Sequence, residues 1–173
     1  MRSSFIVLLL IFLSLFPRSV FAVSEEKVSH LFFIERSKNK NLVQYDIRLT
    51  EDRDLPNPNP SPIRVYWILE NGRREELNTI EREYAYGIAH QERLDKDKFK
   101  VILAGLKGLE IIVERMNDSF KALVSIDGRE SILERIYIKS EEKWTGPPKV
   151  LYIDLFGRTK EMGFPIKERI GPN

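Results

Sequence analysis

Five aromatic side chains stand where a binding surface could be built: Tyr66, Trp67, Tyr84, Tyr86 and Trp144. A planar ring with a polar edge stacks on a ligand and hydrogen-bonds it at the same time. Tyr66 and Trp67 belong to a strand-like run, Tyr84 and Tyr86 close a helix-like run, and Trp144 lies between strands in EEKWTGPP. Together they would line the mouth of a small barrel. The competing reading is a packed core with Tyr and Trp tips reaching water. It carries more weight, because small barrels are often filled by their own side chains.

Other chemistries find less support. The only histidines are His30 and His90, with no cysteine and no His-x-His pair beside them, so neither a zinc site nor any other cofactor is expected. His30 opens a strand and His90 falls in a charged stretch read as a loop. There is no Gly-x-Ser-x-Gly elbow, and a cysteine nucleophile is impossible. Gly105-Leu106-Lys107-Gly108 lacks phosphate-loop spacing and reads as a turn. Carboxylates are plentiful, so an acid pair of the glycosidase kind is conceivable. Asp46 and Asp154 sit in strand-like runs opposite the apolar stripe, which makes exposed polar faces the plainer reading. Asn117-Asp118-Ser119 is a glycosylation sequon that would be idle in a bacterial chain.

These residues need a scaffold, and period-two alternation supplies it. In residues 42–49, Val43, Tyr45, Ile47 and Leu49 share one face, and Gln44, Asp46 and Arg48 the other. HLFFIER (30–36) precedes that strand across SKNKN, giving a hairpin. IRVYWIL, KFKVILA and LEIIVER follow, and Asp127-Gly128 marks a tight turn with positive φ between SFKALVSI and SILERIYIK. KVLYIDLF is the last strand, and the tail from Arg158 reads as a surface segment. One stretch breaks the pattern: Leu77, Ile80, Tyr84 and Ile88 fall at helical spacing, so a helix is predicted over about 75–86, closed by Gly87 in a left-handed conformation. The rival reading makes Asn71-Gly72 a hairpin turn followed by a short strand. Short connections favour antiparallel neighbours. The expected fold is mainly β, an antiparallel β-barrel or two-sheet sandwich of about eight strands with one helix.

The ends address the chain. Arg2, the apolar run 5–16 and PRSVFA, with Val20 and Ala22 at the −3 and −1 places, match a secretory signal over residues 1–22. The run is shorter than the roughly 20 residues a membrane helix needs. No membrane span is expected after cleavage, and residues 23–173 form a single β-rich domain. Arg2 and Arg18 leave with the signal, so the 28 basic residues fall to 26 and balance the 26 acidic ones. Without a basic face, nucleic acid is not an expected partner.

LPNPNPSP (55–62) places Pro56, Pro58, Pro60 and Pro62 on every second position. Proline-reading domains want a three-residue period, so the run is instead a stiff connector or a one-sided edge strand that refuses new neighbours.

The words YW (66–67), EL…IE…AYG (76–87) and ERIYI (134–138), within about His30 to Phe156, resemble an uncharacterised exported bacterial protein family, a domain of unknown function. The resemblance implies a periplasmic protein, with an extracellular one as second choice, and no catalytic residue comes with it. The reading that fits is a non-enzymatic periplasmic module binding a small ligand or an envelope protein. The alternative is a carboxylate-dependent hydrolase acting on envelope carbohydrate.

Overall fold

The computed structural model describes residues 28–50, 56 and 61–171. The signal segment 1–22 lies outside them, as does most of the proline run. Of that run, Pro56 bridges Leu49, and the carbonyl of Pro62 accepts from the Arg48 N–H at 2.7 Å.

Among the described residues the chain forms eleven strands and one helix. They are β1 (Val28–Arg36), β2 (Leu42–Arg48), β3 (Ile63–Ile68), β4 (Arg74–Glu76), α1 (Thr79–Tyr84), β5 (Ile88–Asp95), β6 (Lys98–Leu103), β7 (Leu106–Met116), β8 (Ser119–Ile126), β9 (Arg129–Glu141), β10 (Lys149–Thr159) and β11 (Pro165–Ile170). Mainly β is right. The closed antiparallel barrel and the two-sheet sandwich are corrected to one curled, open, mixed sheet. Its continuous path runs β4-β3-β2-β1-β9-β8-β7-β6-β5, with the β10–β11 hairpin on the free edge of β9.

The mixed character comes from β9. On one edge it pairs antiparallel with β8 over Arg129–Ile132 and then parallel with β1 over Arg135–Ile138. Its other edge pairs with β10 almost throughout. Two antiparallel arms, β1–β4 and β5–β8, thus leave the same edge of one strand. Short connections explain the pairing within each arm, but β1 and β9 are distant in sequence and free to run parallel.

The arms bury one face each. Phe32 and Ile34 of β1, Val43, Tyr45 and Ile47 of β2, and Trp67 of β3 meet Phe99, Val101, Ile111, Val113 and Phe120 of the other arm. These side chains fill the concave face. Polar bonds also tie the two halves: the Tyr45 hydroxyl donates to the Tyr86 carbonyl at 2.6 Å, and the Ser61 hydroxyl to Gln91 Oε1 at 3.2 Å.

Two strands were not read as strands, and a third was only the rival reading. That third is β4, which takes Glu75 and Glu76 from the start of the predicted helix, because Asn71-Gly72 does turn the chain, with Gly72 at φ +79°. The helix therefore starts at Thr79 rather than near 75. The loop holding His90 is β5, a mostly exposed edge strand that carries Glu92, Arg93 and Asp95. The tail contains β11, paired with β10 from Ile153↔Ile170 to Arg158↔Pro165. The Asp127-Gly128 hairpin stands as expected, with both residues at positive φ. The turn between β6 and β7 is Ala104-Gly105, so Lys107 and Gly108 are strand residues.

Candidate functional site

α1 begins at Asn78, whose side chain accepts from the Glu81 N–H at 2.9 Å while the Glu81 carboxylate accepts from the Asn78 N–H at 3.1 Å. This reciprocal cap satisfies two helix-end donors at once. The same Glu81 carboxylate accepts from the Trp67 indole N–H at 3.0 Å, which pins the helix to β3. The chain then packs tightly against its own turn. A Cβ on Gly87 would stand 2.0 Å from the Arg82 carbonyl oxygen, so close approach, rather than the left-handed conformation expected there, requires glycine at this position. The result is that Tyr86 faces Trp67, ring centroids 5.3 Å apart and planes at 76°.

Arg36 fills the corner of that pair. Its guanidinium carbon lies 4.5 Å from the Trp67 ring centroid and 5.8 Å from that of Tyr86. Alternation explains its presence, since Phe32, Ile34 and Arg36 share one face of β1 and the first two are core. The aromatic faces attract the cation, and such contacts are worth about 0.5–2 kcal/mol. Its polar partners are poor. Nη1 reaches the Tyr86 hydroxyl and Nη2 the Asn39 side-chain carbonyl, both at 3.4 Å, beyond the about 2.7–3.2 Å of an ordinary N–H···O bond. Nε is buried without any hydrogen-bond partner. No carboxylate among the described residues forms an ion pair with it. A cation so placed has donors to spare and no counter-charge.

On the convex face the opposite arrangement holds. Asp46 is buried, not exposed as its place opposite the apolar stripe suggested. It accepts from the Tyr66 hydroxyl, from Gln44 Nε2 at 3.0 Å, and faces His30 Nδ1 at 3.1 Å. Burial alone would raise its pKa, but these bonds outweigh burial and hold it below the ordinary carboxylate value. Burial and the bond to Asp46 push Tyr66 up to about 12. Asp154 is buried too, because Arg169 clamps both its oxygens at 2.7 and 3.0 Å and Lys167 adds a contact at 2.9 Å. Despite some opposing burial, this pulls its carboxyl down to about 2. Asp46 and Asp154 are three strand spacings apart across the sheet, roughly 14 Å, and offset by five residues along it, since Asp46 is level with His30 of β1 and Asp154 with Glu35. They form no acid pair, and each is locked as an anion by its own donors.

The five aromatics expected at one mouth are therefore divided. Trp67 and Tyr86 come together around Arg36. Tyr66 points to the other face, buried beneath the Arg64 and Arg74 guanidinium groups at 5.5 and 5.0 Å. Tyr84 stands exposed on α1, and Trp144 is wholly in solvent at the β9–β10 turn. Two surface grooves lie elsewhere, neither of them lined by Arg36, Trp67 or Tyr86. One, of about 740 Å³, follows the seam between β3 and β5. The other, of about 730 Å³, lies in the fork where β1 and β8 leave β9. Among the described residues no group of three or more His, Cys, Asp or Glu is placed to hold a metal ion.

No curated protein matches the chain, and no solved structure does. A family model does match, over residues 32–169, most of the described sheet and all of the site around Arg36. The chain belongs to the family of the domain of unknown function DUF4833.

Proposed function

We propose that the chain is an exported, non-enzymatic binding module of the bacterial periplasm that captures an anionic group at Arg36. That group is a carboxylate or phosphate carried by a small ligand or by an envelope protein. The apolar run 5–16 with its Val20 and Ala22 cleavage signal supports export. The single observation that carries the binding reading is Arg36 itself: a guanidinium in an aromatic corner, with one buried donor unsatisfied and no ion pair among the described residues. Arginine is suited to this role because its planar fork meets carboxylate and phosphate oxygens two at a time.

Trp67 is a built-in reporter, since it touches the guanidinium. In a Trp144→Phe background, succinate and inorganic phosphate titrated separately are expected to change Trp67 emission saturably, and the stronger of the two identifies the anion class. Arg36→Met is expected to abolish the response. An identical titration for Arg36→Met and the parent would overturn the assignment. Native mass spectrometry of gently purified protein then asks what the site carries from the cell.

A further inference from the structure

The β9–β10 turn carries an indole that nothing covers. Trp144 is fully exposed, whereas the other tryptophan, Trp67, is buried. In the connection 142–148 that presents it, Gly146 is left-handed at φ +84°, and Pro147 and Pro148 follow with fixed φ.

A second tip stands beside it. The N–H of Ser37, at the start of the β1–β2 turn, donates to the Ile138 carbonyl at 3.0 Å. The Ser37 hydroxyl donates to the Ser140 carbonyl and accepts from the Ser140 N–H at 3.3 and 3.2 Å. Lys38 of the first tip pairs with Glu142 of the second. The two turns thus form one platform at the end of the sheet. Residues 37–41 and 141–149 carry Lys38, Lys40, Lys143 and Lys149 against Glu141 and Glu142, an excess of two positive charges on a chain whose processed form is neutral. No ion pair engages the ammonium groups of Lys40, Lys143 or Lys149 among the described residues.

A projecting ring with no second wall cannot enclose a small ligand. A surface must come to it, and that surface has to welcome an amphipathic ring and lysines together. A lipid interface does both: indoles concentrate at headgroup level, and each lysine near an anionic leaflet adds attraction that fades within a Debye length. We infer that the paired tips dock peripherally on an anionic membrane surface, with Trp144 entering the headgroup layer and Lys40, Lys143 and Lys149 lying against lipid phosphates. Arg36 borders the first tip through Asn39, but Trp144 and the three lysines are not among its contacts, so substitutions there test this reading separately from the first.

Sedimentation of the processed chain with vesicles tests it. Residues 1–22 are left out because their own apolar run would bind lipid. Vesicles of phosphatidylethanolamine with phosphatidylglycerol are expected to bind at least about tenfold more protein than pure phosphatidylcholine, and high salt is expected to release it. Trp144→Ala is expected to lose about tenfold in partitioning and Lys40→Glu/Lys143→Glu/Lys149→Glu to lose the preference for anionic lipid. All these positions are exposed, so thermal unfolding should not change, and that measurement separates lost docking from lost folding. Emission from the parent should shift to the blue on binding and that of Trp144→Phe should not. No binding to the anionic vesicles, or equal binding of Trp144→Ala and the parent, would overturn the inference and leave the tips as a protein or glycan contact.

Discussion

Two charged side chains sit on neighbouring strands of one arm, and the fold treats them in opposite ways. Asp46, in the middle of β2, is buried and has three side chains turned towards it. Arg36, at the end of β1, lies against two aromatic rings with long contacts to neutral oxygens and one buried N–H left over. A buried charge is tolerated when its hydrogen bonds are complete and is expensive when they are not. Saturation at Asp46 is therefore the mark of a structural staple across β1, β2 and β3. Shortfall at Arg36 is the feature on which the proposed binding of an outside anion rests.

The comparison is broken most directly at Asp46. Asp46→Ala strands the Tyr66 hydroxyl and Gln44 and is expected to destabilise the domain by about 3 kcal/mol. For a chain of this size that lowers Tm by roughly 6–12 °C in a calorimetric scan. Next in size is Gly87→Ala, which forces a methyl group onto the Arg82 carbonyl and is expected to cost roughly 2–3 kcal/mol in urea unfolding. Because it displaces Tyr86, it should also weaken whatever Arg36 binds.

The pH profile sharpens the comparison from both sides. Asp154 and Asp46 are depressed in the folded state, so their contribution is present above the unfolded value of about 4 and is lost as pH falls. For Asp154 the loss is complete near 2. Tyr66 is raised, so its contribution is full below about 10 and is lost as pH rises to about 12. Chemical denaturation against pH should show both slopes, with Asp154→Asn flattening the acid one and Tyr66→Phe the alkaline one. The smallest expected effect is the most telling. Arg36→Met should change stability by less than about 0.5 kcal/mol, or raise it, because the buried unpartnered N–H and the missing counter-charge offset what the aromatic contacts contribute. A loss of 2 kcal/mol or more on that substitution would make Arg36 a staple like Asp46.

Alternation made much of this legible. The face shared by Val43, Tyr45 and Ile47 is the core face, and the parity of Phe32 and Ile34 already points Arg36 inward. What parity cannot supply is the company Arg36 keeps, since Trp67 and Tyr86 arrive from 31 and 50 residues away through a helix cap and a tight glycine contact. The same limit hid the burial of Asp46 and Asp154. A polar residue opposite an apolar stripe is normally solvated, but here long neighbours, Tyr66 in one case and Arg169 in the other, lie over it. β5 and β11 escaped because edge strands rich in charge have little alternation to read. The parallel contact between β1 and β9 escaped because nothing local encodes it.

That contact has a kinetic consequence. Each arm is a meander of adjacent hairpins and can close its loops early and cheaply. Joining them requires β1 to find β9, a closure that spans 100 residues at the Glu35–Arg135 ion pair, and such non-local pairing slows folding far more than it affects stability. A chain made with its amino end first must therefore keep this edge of β1 unpaired until Ile138 has followed. The forked strand thus makes the joining of the two arms a late event, and until then β1 presents an unpaired edge.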